Sequence, residues 1–212
     1  MTKQIKTDVV VIGSGPGGYT AAFRAADLGK RVVLIERFAT LGGVCLNVGC
    51  IPSKALLHIA KVVDETHEMA NQGVSFSAPK LDNTKMVAWK NAVVSKLTGG
   101  LNALAKQRKV EVVIGVAKFS GAHQVIVDGK DGQITIDFEN AIIAVGSESV
   151  NLPFIPEDKR IFSSTGALEL ADIKGDLLVL GGGIIGLEMA TVYASLGVNV
   201  TVVEFLDQLI PG

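Results

Sequence analysis

The chain has 212 residues, about one and a half domains of the usual size. Lys plus Arg number 20 and Asp plus Glu 21, so the net charge of -1 provides no basic field to attract nucleic acid or an anionic membrane. Hydrophobic residues make up 48% and charged residues 19%, which supplies a core and excludes wholesale disorder.

Two long uncharged stretches, residues 9–23 and 189–203, contain Gly, Ser, Thr or Asn and are shorter than the roughly 20 residues of a membrane span. The N-terminus is basic but has no long apolar core behind it, so we predict no signal peptide. We therefore expect no transmembrane helix and a cytoplasmic location. Only two cysteines are present, too few for a disulfide scaffold.

The first elements predict a β-α-β unit. Residues 8–12, apolar from Val9 onward, predict a strand that leads into a glycine-rich turn, 13–18. An alanine-rich helix, 19–28, follows and ends at Gly29. Residues 31–35 are a nearly all-apolar strand of the kind buried in a parallel sheet, and Glu36 follows it.

The middle of the chain predicts two helices and then short strands. One helix covers 52 to about 70, and the next carries apolar residues at helical spacing, which we expect to face the core. These residues are Met86, Trp89, Val93, Val94, Leu97, Leu101 and Leu104. Strands are predicted at 110–114, 124–127 and 134–138, with a hairpin turn at 128–132, and a buried strand at 141–145 stops at Gly146.

A domain boundary is predicted between 147 and 159, where Pro153 and Pro156 lie among polar residues. The first pattern then repeats: a strand at 177–180, a glycine turn at 181–186, a helix to Leu196 and a strand at 199–203 before Glu204. We predict an α/β fold with two Rossmann-like dinucleotide-binding domains, 1–147 and 151–212, a small antiparallel β insertion in the first, and an incomplete second domain.

The two glycine turns point to nucleotide binding. Gly13, Gly15 and Gly18 follow a strand and open a helix, and an acid, Glu36, ends the next strand, as a dinucleotide fingerprint requires. The helix N-terminus offers N–H groups to a pyrophosphate, and Glu36 is placed to accept hydrogen bonds from an adenosine ribose. The alternative is a plain strand-helix connection with a solvated acid.

The second turn, with Gly181, Gly183, Gly186 and Glu204, carries the same pattern independently. Because an acid at 204 repels a 2′-phosphate, we predict NAD(H) rather than NADP(H) at this turn.

Cys45 and Cys50 form a close pair ahead of Pro52 and Lys54. Residues five apart on a regular helix point about 140° apart, so a disulfide needs a distorted turn, which Gly49 and Pro52 favour. Nearby N–H groups and Lys54 favour a reactive thiolate. Half of a zinc site and two unreactive buried cysteines remain alternatives.

The segment 42–54 (GGVCLNVGCIPSK), behind one fingerprint and ahead of a second, resembles the flavoprotein disulfide reductases. Within them, the chain resembles the proteobacterial type of dihydrolipoamide dehydrogenase, the E3 component of 2-oxo acid dehydrogenase complexes. The likeness covers essentially the whole chain and includes the segments KALLH at 54–58, LTGGL at 97–101, LPF at 152–154 and GGGIIGLE at 181–188.

The resemblance implies that FAD binds the first turn and NAD the second. It implies that Cys45 exchanges with the substrate dithiol, Cys50 lies against the flavin as a thiolate, and Lys54 pairs with Glu188 beside the nicotinamide. The FAD-contacting residues implied are Gly13, Gly15, Pro16, Gly17, Gly18, Glu36, Arg37, Gly43, Val44, Cys45, Lys54, Ala117 and Gly146. The NAD-contacting residues implied are Gly181, Gly182, Gly183, Ile184, Ile185, Gly186 and Glu204. No metal is implied.

The resemblance also implies electron transfer from dihydrolipoamide through the disulfide and FAD to NAD+, a homodimer, and a lipoyl-bearing E2 partner. The family's catalytic His-Glu pair has no match here, and His58, His67 and His123 are assigned no such role. Smaller departures are Ala117, where Gly is usual, and residues 146–149 (GSES), where Arg-Pro is common. A truncated, catalytically incompetent nucleotide-binding fragment, or a glutathione or mercuric type of reductase, remains an alternative.

Overall fold

Six strands form the main sheet of the computed structural model, which describes residues 3–130, 132–171 and 173–210. Their order across the sheet is β3-β2-β1-β6-β5-β4. The strands are β1 Lys3–Ile12, β2 Val32–Glu36, β3 Glu111–Ile114, β4 Val116–Gly121, β5 Gln124–Gly129 and β6 Gly132–Ile143.

Strands β3, β2, β1 and β6 pair in parallel, whereas β6, β5 and β4 form an antiparallel meander. Helix α1, Pro16–Asp27, connects β1 to β2. The strands of the parallel part are rich in valine and isoleucine because both faces of such a sheet are covered. Val10, Val33 and Ile35 of the parallel strands are almost fully buried, and they belong to one core cluster with residues of the antiparallel strands.

Strand β6 corrects one sequence prediction. We expected separate strands at 134–138 and 141–145, but the structure has one strand that ends at Ile143. Its first half pairs with β5, and residues from Ile134 to Ile143 pair with β1. The polar Glu139 and Asn140 suggested a break, yet β6 pairs with β1 on both sides of Glu139, at Phe138 and at Asn140, and this keeps the backbone extended.

Five further helices and two strands complete the described chain. They are α2 Gly43–Val48, α3 Cys50–Glu68, α4 Asn83–Gln107, α5 Ser164–Ala167 and α6 Ile184–Ser195, with β7 Asp176–Leu180 and β8 Asn199–Val203; a 3₁₀ turn, Met69–Gln72, follows α3. Strands β7 and β8 are parallel and are connected by α6. The predicted α/β fold with two Rossmann-like β-α-β units is thus confirmed. The sequence patterns missed α2, α5 and β4.

The chain divides into two compact units. The first contains residues 1–47 and 94–148, and the second contains 48–93 and 149–212. The second unit includes α3 because Leu56 and Ala60 are buried in one cluster with Met189, Val192 and Tyr193 of α6. A division by sequence alone, at 147–151, assigns α3 to the first domain, since the packing that groups it otherwise is non-local.

The apolar stripe predicted on α4 is only partly buried. Leu101 lies inside, but Trp89, Leu97 and Leu104 are exposed by 43%, 42% and 39%. Helical spacing shows which residues share a face, and it does not show what covers that face.

One helical run, Gly43–Gln72, is long and apolar enough to cross a membrane by length and composition alone, with a mean hydropathy of 1.3. The core helix of a soluble protein passes the same test, so the evidence is weak. Leu56 and Ala60 of this run lie in the core of the second unit.

Candidate functional site

The first glycine turn is held tightly between β1 and α1. Gly13 has φ of 98°, and its N–H donates to Ile35 O at 2.8 Å. A Cβ on Gly13 would overlap the carbonyl oxygen of Ala144, and one on Gly18 would overlap the carbonyl oxygen of Gly13. Only glycine therefore fits either position, and α1 starts directly against the sheet.

The start of α1 is open toward a ligand. Its N-cap is Gly15, Pro16 lies in the first turn, and no side chain of the described residues caps it. No atom lies within 4 Å of a Cβ built on Gly17. Free N–H groups and the positive end of the helix dipole make this start suited to a pyrophosphate.

Glu36 closes the turn from the end of β2. Its side chain is buried, and its Oε2 accepts hydrogen bonds from Ser14 N at 2.9 Å and Ser14 Oγ at 2.6 Å. Its Oε1 accepts one from Phe38 N at 3.0 Å. A carboxylate has about four acceptor positions, so capacity remains for a ribose hydroxyl.

The cysteine-bearing segment begins beside this turn. A Cβ on Gly43 would lie 2.6 Å from Gly15 Cα, so the two backbones approach closely. Gly43 is the first residue of α2, in which Val44 is exposed and Cys45 half-buried. The first unit therefore places Cys45 on a helix that starts against the first glycine turn.

The side chain of Asn47 stabilises this helix through hydrogen bonds, and Asn47 was not among the site residues predicted from the sequence. Its Nδ2 donates to Leu41 O at 3.1 Å and Gly43 O at 2.9 Å, while its Oδ1 accepts from Thr40 Oγ1 at 3.0 Å. An amide between two cysteines, just after paired glycines, was the available signal, because amides commonly satisfy exposed backbone groups at helix starts.

The remaining candidates of the first site are placed separately. Arg37 is exposed with its guanidinium 4.8 Å from the Phe38 ring centroid. Gly146 is exposed with φ of 75°, just beyond the Ala144 that abuts Gly13. Ala117 lies in β4, paired with Val127, where its backbone takes part in the meander. Roles for these three residues remain predictions.

The second glycine turn repeats the first. Gly181 has φ of 109° and donates to Val203 O at 2.8 Å, and a Cβ on Gly186 would overlap Gly181 O. Helix α6 starts after the N-cap Gly183, again without a side-chain cap, and Ile184 and Ile185 are exposed. This start also suits an anionic group.

Glu204 takes the position that Glu36 has in the first unit. Its Oε2 accepts from Gly182 N at 2.6 Å and its Oε1 from Leu206 N at 2.9 Å. These N–H groups, Leu206 first and Gly182 second, hold the pKa of the Glu204 carboxyl below its ordinary value. The group is thus kept as an anion that accepts hydrogen bonds.

The two turns differ at three positions, where Ser14, Pro16 and Gly17 of the first correspond to Gly182, Ile184 and Ile185 of the second. Gly13 and Gly181 are separated along the chain by the same number of residues as Glu36 and Glu204. The strand pairing follows the same offset, since Val9 pairs with Val32 in the first unit and Leu177 pairs with Val200 in the second. At the same offset, Ser14 corresponds to Gly182, which has no hydroxyl to donate. The sequence analysis did not single out Ser14, although a hydroxyl residue between two fingerprint glycines was a visible signal.

Helices α3 and α6 pack side by side in the second unit. Ser195 Oγ, at the end of α6, donates to Asp64 Oδ2, near the end of α3, at 2.7 Å. Leu56, nearer the start of α3, shares a buried cluster with Met189, nearer the start of α6. The two helices therefore run in the same direction, and their first turns lie at one end.

Lys54 and Glu188 lie in the first two turns of these helices. Lys54 is exposed and Glu188 half-buried, and the ion pairs of the described residues do not include one between them. Their arrangement places both charges at the same end of the α3-α6 pair. The pairing itself remains a prediction.

Cys50 is the first residue of α3 and is exposed, following the N-cap Gly49. The division between the two units falls between Cys45 and Cys50, and the disulfide linking them remains a prediction.

Comparison with known proteins gives a family match across the chain. The sequence profile of the pyridine nucleotide-disulphide oxidoreductases matches residues 7–212. A dihydrolipoyl dehydrogenase of Vibrio cholerae is 59% identical over 212 residues, which are 100% of this chain and 45% of the relative. One of Bacillus subtilis is 47% identical over 208 residues, which are 98% of this chain and 44% of the relative.

Solved structures agree with the sequence match. The HOCl-induced flavoprotein disulfide reductase RclA of Escherichia coli superposes with a TM-score of 0.80 and 33% identity over 95% of this chain and 43% of its own. Its Cu(II) complex gives 0.80 and 34% over 96% of this chain and 43% of its own. The chain spans less than half the length of the curated relatives it matches. Because the family match runs through both glycine turns and the cysteine segment, the chain belongs to the pyridine nucleotide-disulphide oxidoreductases, an oxidoreductase family that uses FAD and NAD.

Proposed function

We propose that the protein is a dihydrolipoamide dehydrogenase. Two electrons leave the dithiol of dihydrolipoamide, which becomes the cyclic disulfide lipoamide, and reduce the disulfide of Cys45 and Cys50 to two thiols. Bound FAD would supply the redox carrier between these two thiols and NAD+, and the products are the disulfide of Cys45 and Cys50, NADH and a proton. The observation that carries the proposal is the close approach of Gly43 to Gly15, which starts the Cys45 helix beside the first nucleotide turn.

In this proposal the first turn holds FAD. The uncapped start of α1 binds the pyrophosphate, Glu36 accepts from the adenosine ribose, and the open space at Gly17 leaves room for the cofactor. Cys45 exchanges with the substrate dithiol, and Cys50 provides the thiolate that faces the flavin. The residues present therefore fit an adenine dinucleotide.

The second turn holds NAD in this proposal. Glu204 is half-exposed and anionic, so it accepts from a ribose hydroxyl and repels a 2′-phosphate. Lys54 and Glu188 would then form an ion pair at the shared end of α3 and α6, with Glu188 beside the nicotinamide. NADPH should be a much poorer cosubstrate than NADH.

The assembly and location are proposed from the same resemblance. The relatives named dihydrolipoyl dehydrogenase support a cytoplasmic homodimer that acts on the lipoyl group of the E2 component of a 2-oxo acid dehydrogenase complex. No histidine of this chain is proposed as the catalytic base.

Two alternatives remain. The 212 residues on their own are a nucleotide-binding piece without turnover, because exposed apolar residues of β7 and β8, Leu178, Leu180 and Val203, lack a covering layer among the described residues. Another disulfide reductase activity is the second alternative, favoured by the likeness to a flavoprotein disulfide reductase solved with Cu(II).

The test measures NADH formation by a protein that contains this chain and has the full length of its relatives. We expect turnover with dihydrolipoamide and NAD+, loss of that turnover in Cys45→Ser and Cys50→Ser, and little activity with NADP+. In the reverse direction, oxidation of NADH or NADPH with glutathione disulfide, Hg(II) or Cu(II) as the electron acceptor, but not with lipoamide, would overturn the substrate assignment. Steady turnover by the isolated 212 residues would overturn the first alternative.

A further inference from the structure

Ser14 is fully buried inside the first glycine turn, and its hydroxyl joins three parts of the first unit. Oγ donates to Glu36 Oε2 at 2.6 Å and accepts from Gly42 N at 3.2 Å. The backbone of Gly42 also donates to Ser14 O at 2.9 Å. The hydroxyl thus connects the turn, the acid at the end of β2 and the residue that precedes α2.

The contact with Glu36 is short and charge-assisted, and hydrogen bonds of this kind are about twice as strong as neutral ones. Since the Glu36 side chain is buried, the direction in which its free lone pairs point is set by the groups that already bond it. Two of those three bonds come from Ser14, through its backbone N–H and its hydroxyl.

The second turn provides an internal comparison. Gly182 takes the place of Ser14 and gives Glu204 only a backbone N–H, at 2.6 Å. Glu204 is half-exposed, whereas Glu36 is 5% exposed. The chain therefore adds a hydroxyl at the buried acid and omits it at the exposed one.

We propose that Ser14 is a positioning residue that orients the Glu36 carboxylate toward the adenosine ribose of FAD and links it to the entrance of the Cys45 helix. This inference rests on the proposed function, which assigns FAD to the first turn. Ser14 acts through Glu36, so its hydroxyl matters only for a ligand that presents a ribose hydroxyl to that acid.

The experiment compares FAD with an FAD analogue whose adenosine ribose lacks the 2′-hydroxyl. Binding to the 212-residue chain is followed by the change in flavin fluorescence, in wild type and in Ser14→Ala. We expect Ser14→Ala to raise the Kd of FAD about tenfold, because one charge-assisted hydrogen bond is lost, and to leave the Kd of the deoxy analogue within about twofold. Ser14→Thr, which retains a hydroxyl, should restore part of the FAD affinity.

Two controls distinguish the selective rise in the Kd of FAD from a general loss of structure. Thr98→Ala removes another buried hydroxyl of the first unit, one that bonds only within α4, and should leave both Kd values unchanged. If Ser14→Ala lowers the melting temperature strongly, Ser14→Gly replaces it, since the second turn has glycine at this position.

Equal weakening of both ligands by Ser14→Ala, or an unchanged Kd of FAD, would overturn the inference while the proposed function stands. Failure of the wild-type chain to bind FAD would overturn the assignment of FAD to the first turn, and this inference with it.

Discussion

Gly13 and Gly17 lie in the same turn but have different surroundings, which makes them a matched pair. Gly13 has φ of 98°, and a side chain there would overlap Ala144 O, whereas Gly17 is helical and has open space around it. We expect Gly13→Ala to lower the free energy of unfolding by about 3 kcal/mol or more, through strain and displacement of the backbone. Gly17→Ala should change it by less than about 1 kcal/mol, because alanine favours a helix.

Denaturant unfolding of both variants without nucleotide tests this expectation. Equal losses in the two variants would contradict it. The fingerprint spacing predicted Gly13, whereas Gly17 was implied only by the family resemblance. The structure separates the glycine that the backbone requires from the one that has open space around it.

Glu204 gives a prediction about pH. Its carboxyl has a pKa held below the ordinary 4.5 by the N–H groups of Leu206 and Gly182. The folded state therefore favours the ionised form, and the resulting stabilisation is complete above about pH 4.5 and lost as the pH falls through the folded pKa.

We expect the difference in free energy of unfolding between wild type and Glu204→Gln to shrink as the pH falls below 4.5. Chemical unfolding at a series of pH values measures it. A difference that stays constant through this range would show that the N–H groups do not stabilise the ionised form.

At the scale of elements, Lys90 in the first half of α4 forms hydrogen bonds with the residues that follow α5. Its side chain is only 3% exposed, and its Nζ donates to Leu168 O at 2.9 Å and to Glu169 Oε1 at 3.0 Å. Lys90→Met keeps the volume but leaves a carbonyl unsatisfied, so we expect a loss of about 1–3 kcal/mol in the free energy of unfolding.

Glu169→Gln is the matched control, because Glu169 is 60% exposed and an exposed partner contributes roughly 1 kcal/mol or less. Thermal and chemical unfolding of the two variants supply the measurement. If Lys90→Met were as stable as wild type, the buried ammonium would contribute no net stabilisation to the contact between α4 and α5.

The elements also show where sequence patterns succeed. The β1-α1-β2 and β7-α6-β8 units were predictable because each is local, with a strand, a glycine turn and an acid within a short span. The continuity of β6 was not predictable, because it depends on pairing with β1, which is far away in sequence. The exposure of Trp89 on α4 was not predictable either, because helical periodicity shows which residues share a face and does not show whether other residues cover that face.

At the scale of the whole molecule, the described residues contain a repeated β-α-β unit, β1-α1-β2 in the first compact unit and β7-α6-β8 in the second, related by a constant offset. The nucleotide turns and their acids were predicted from sequence because the fingerprint residues also shape the backbone. The packing of α3 with α6, and the bonds that fix Glu36 through Ser14, depend on side chains that no spacing rule marks.

The visible spectrum of the purified chain tests the proposal that FAD binds at the first glycine turn beside the helix that carries Cys45. The chain, with its mass confirmed, is reconstituted with FAD and titrated anaerobically with dihydrolipoamide. We predict a bound flavin band that gains a long-wavelength charge-transfer shoulder, absent in Cys50→Ser. A chain that binds no FAD, or a bound flavin whose spectrum dihydrolipoamide leaves unchanged, would contradict the claim.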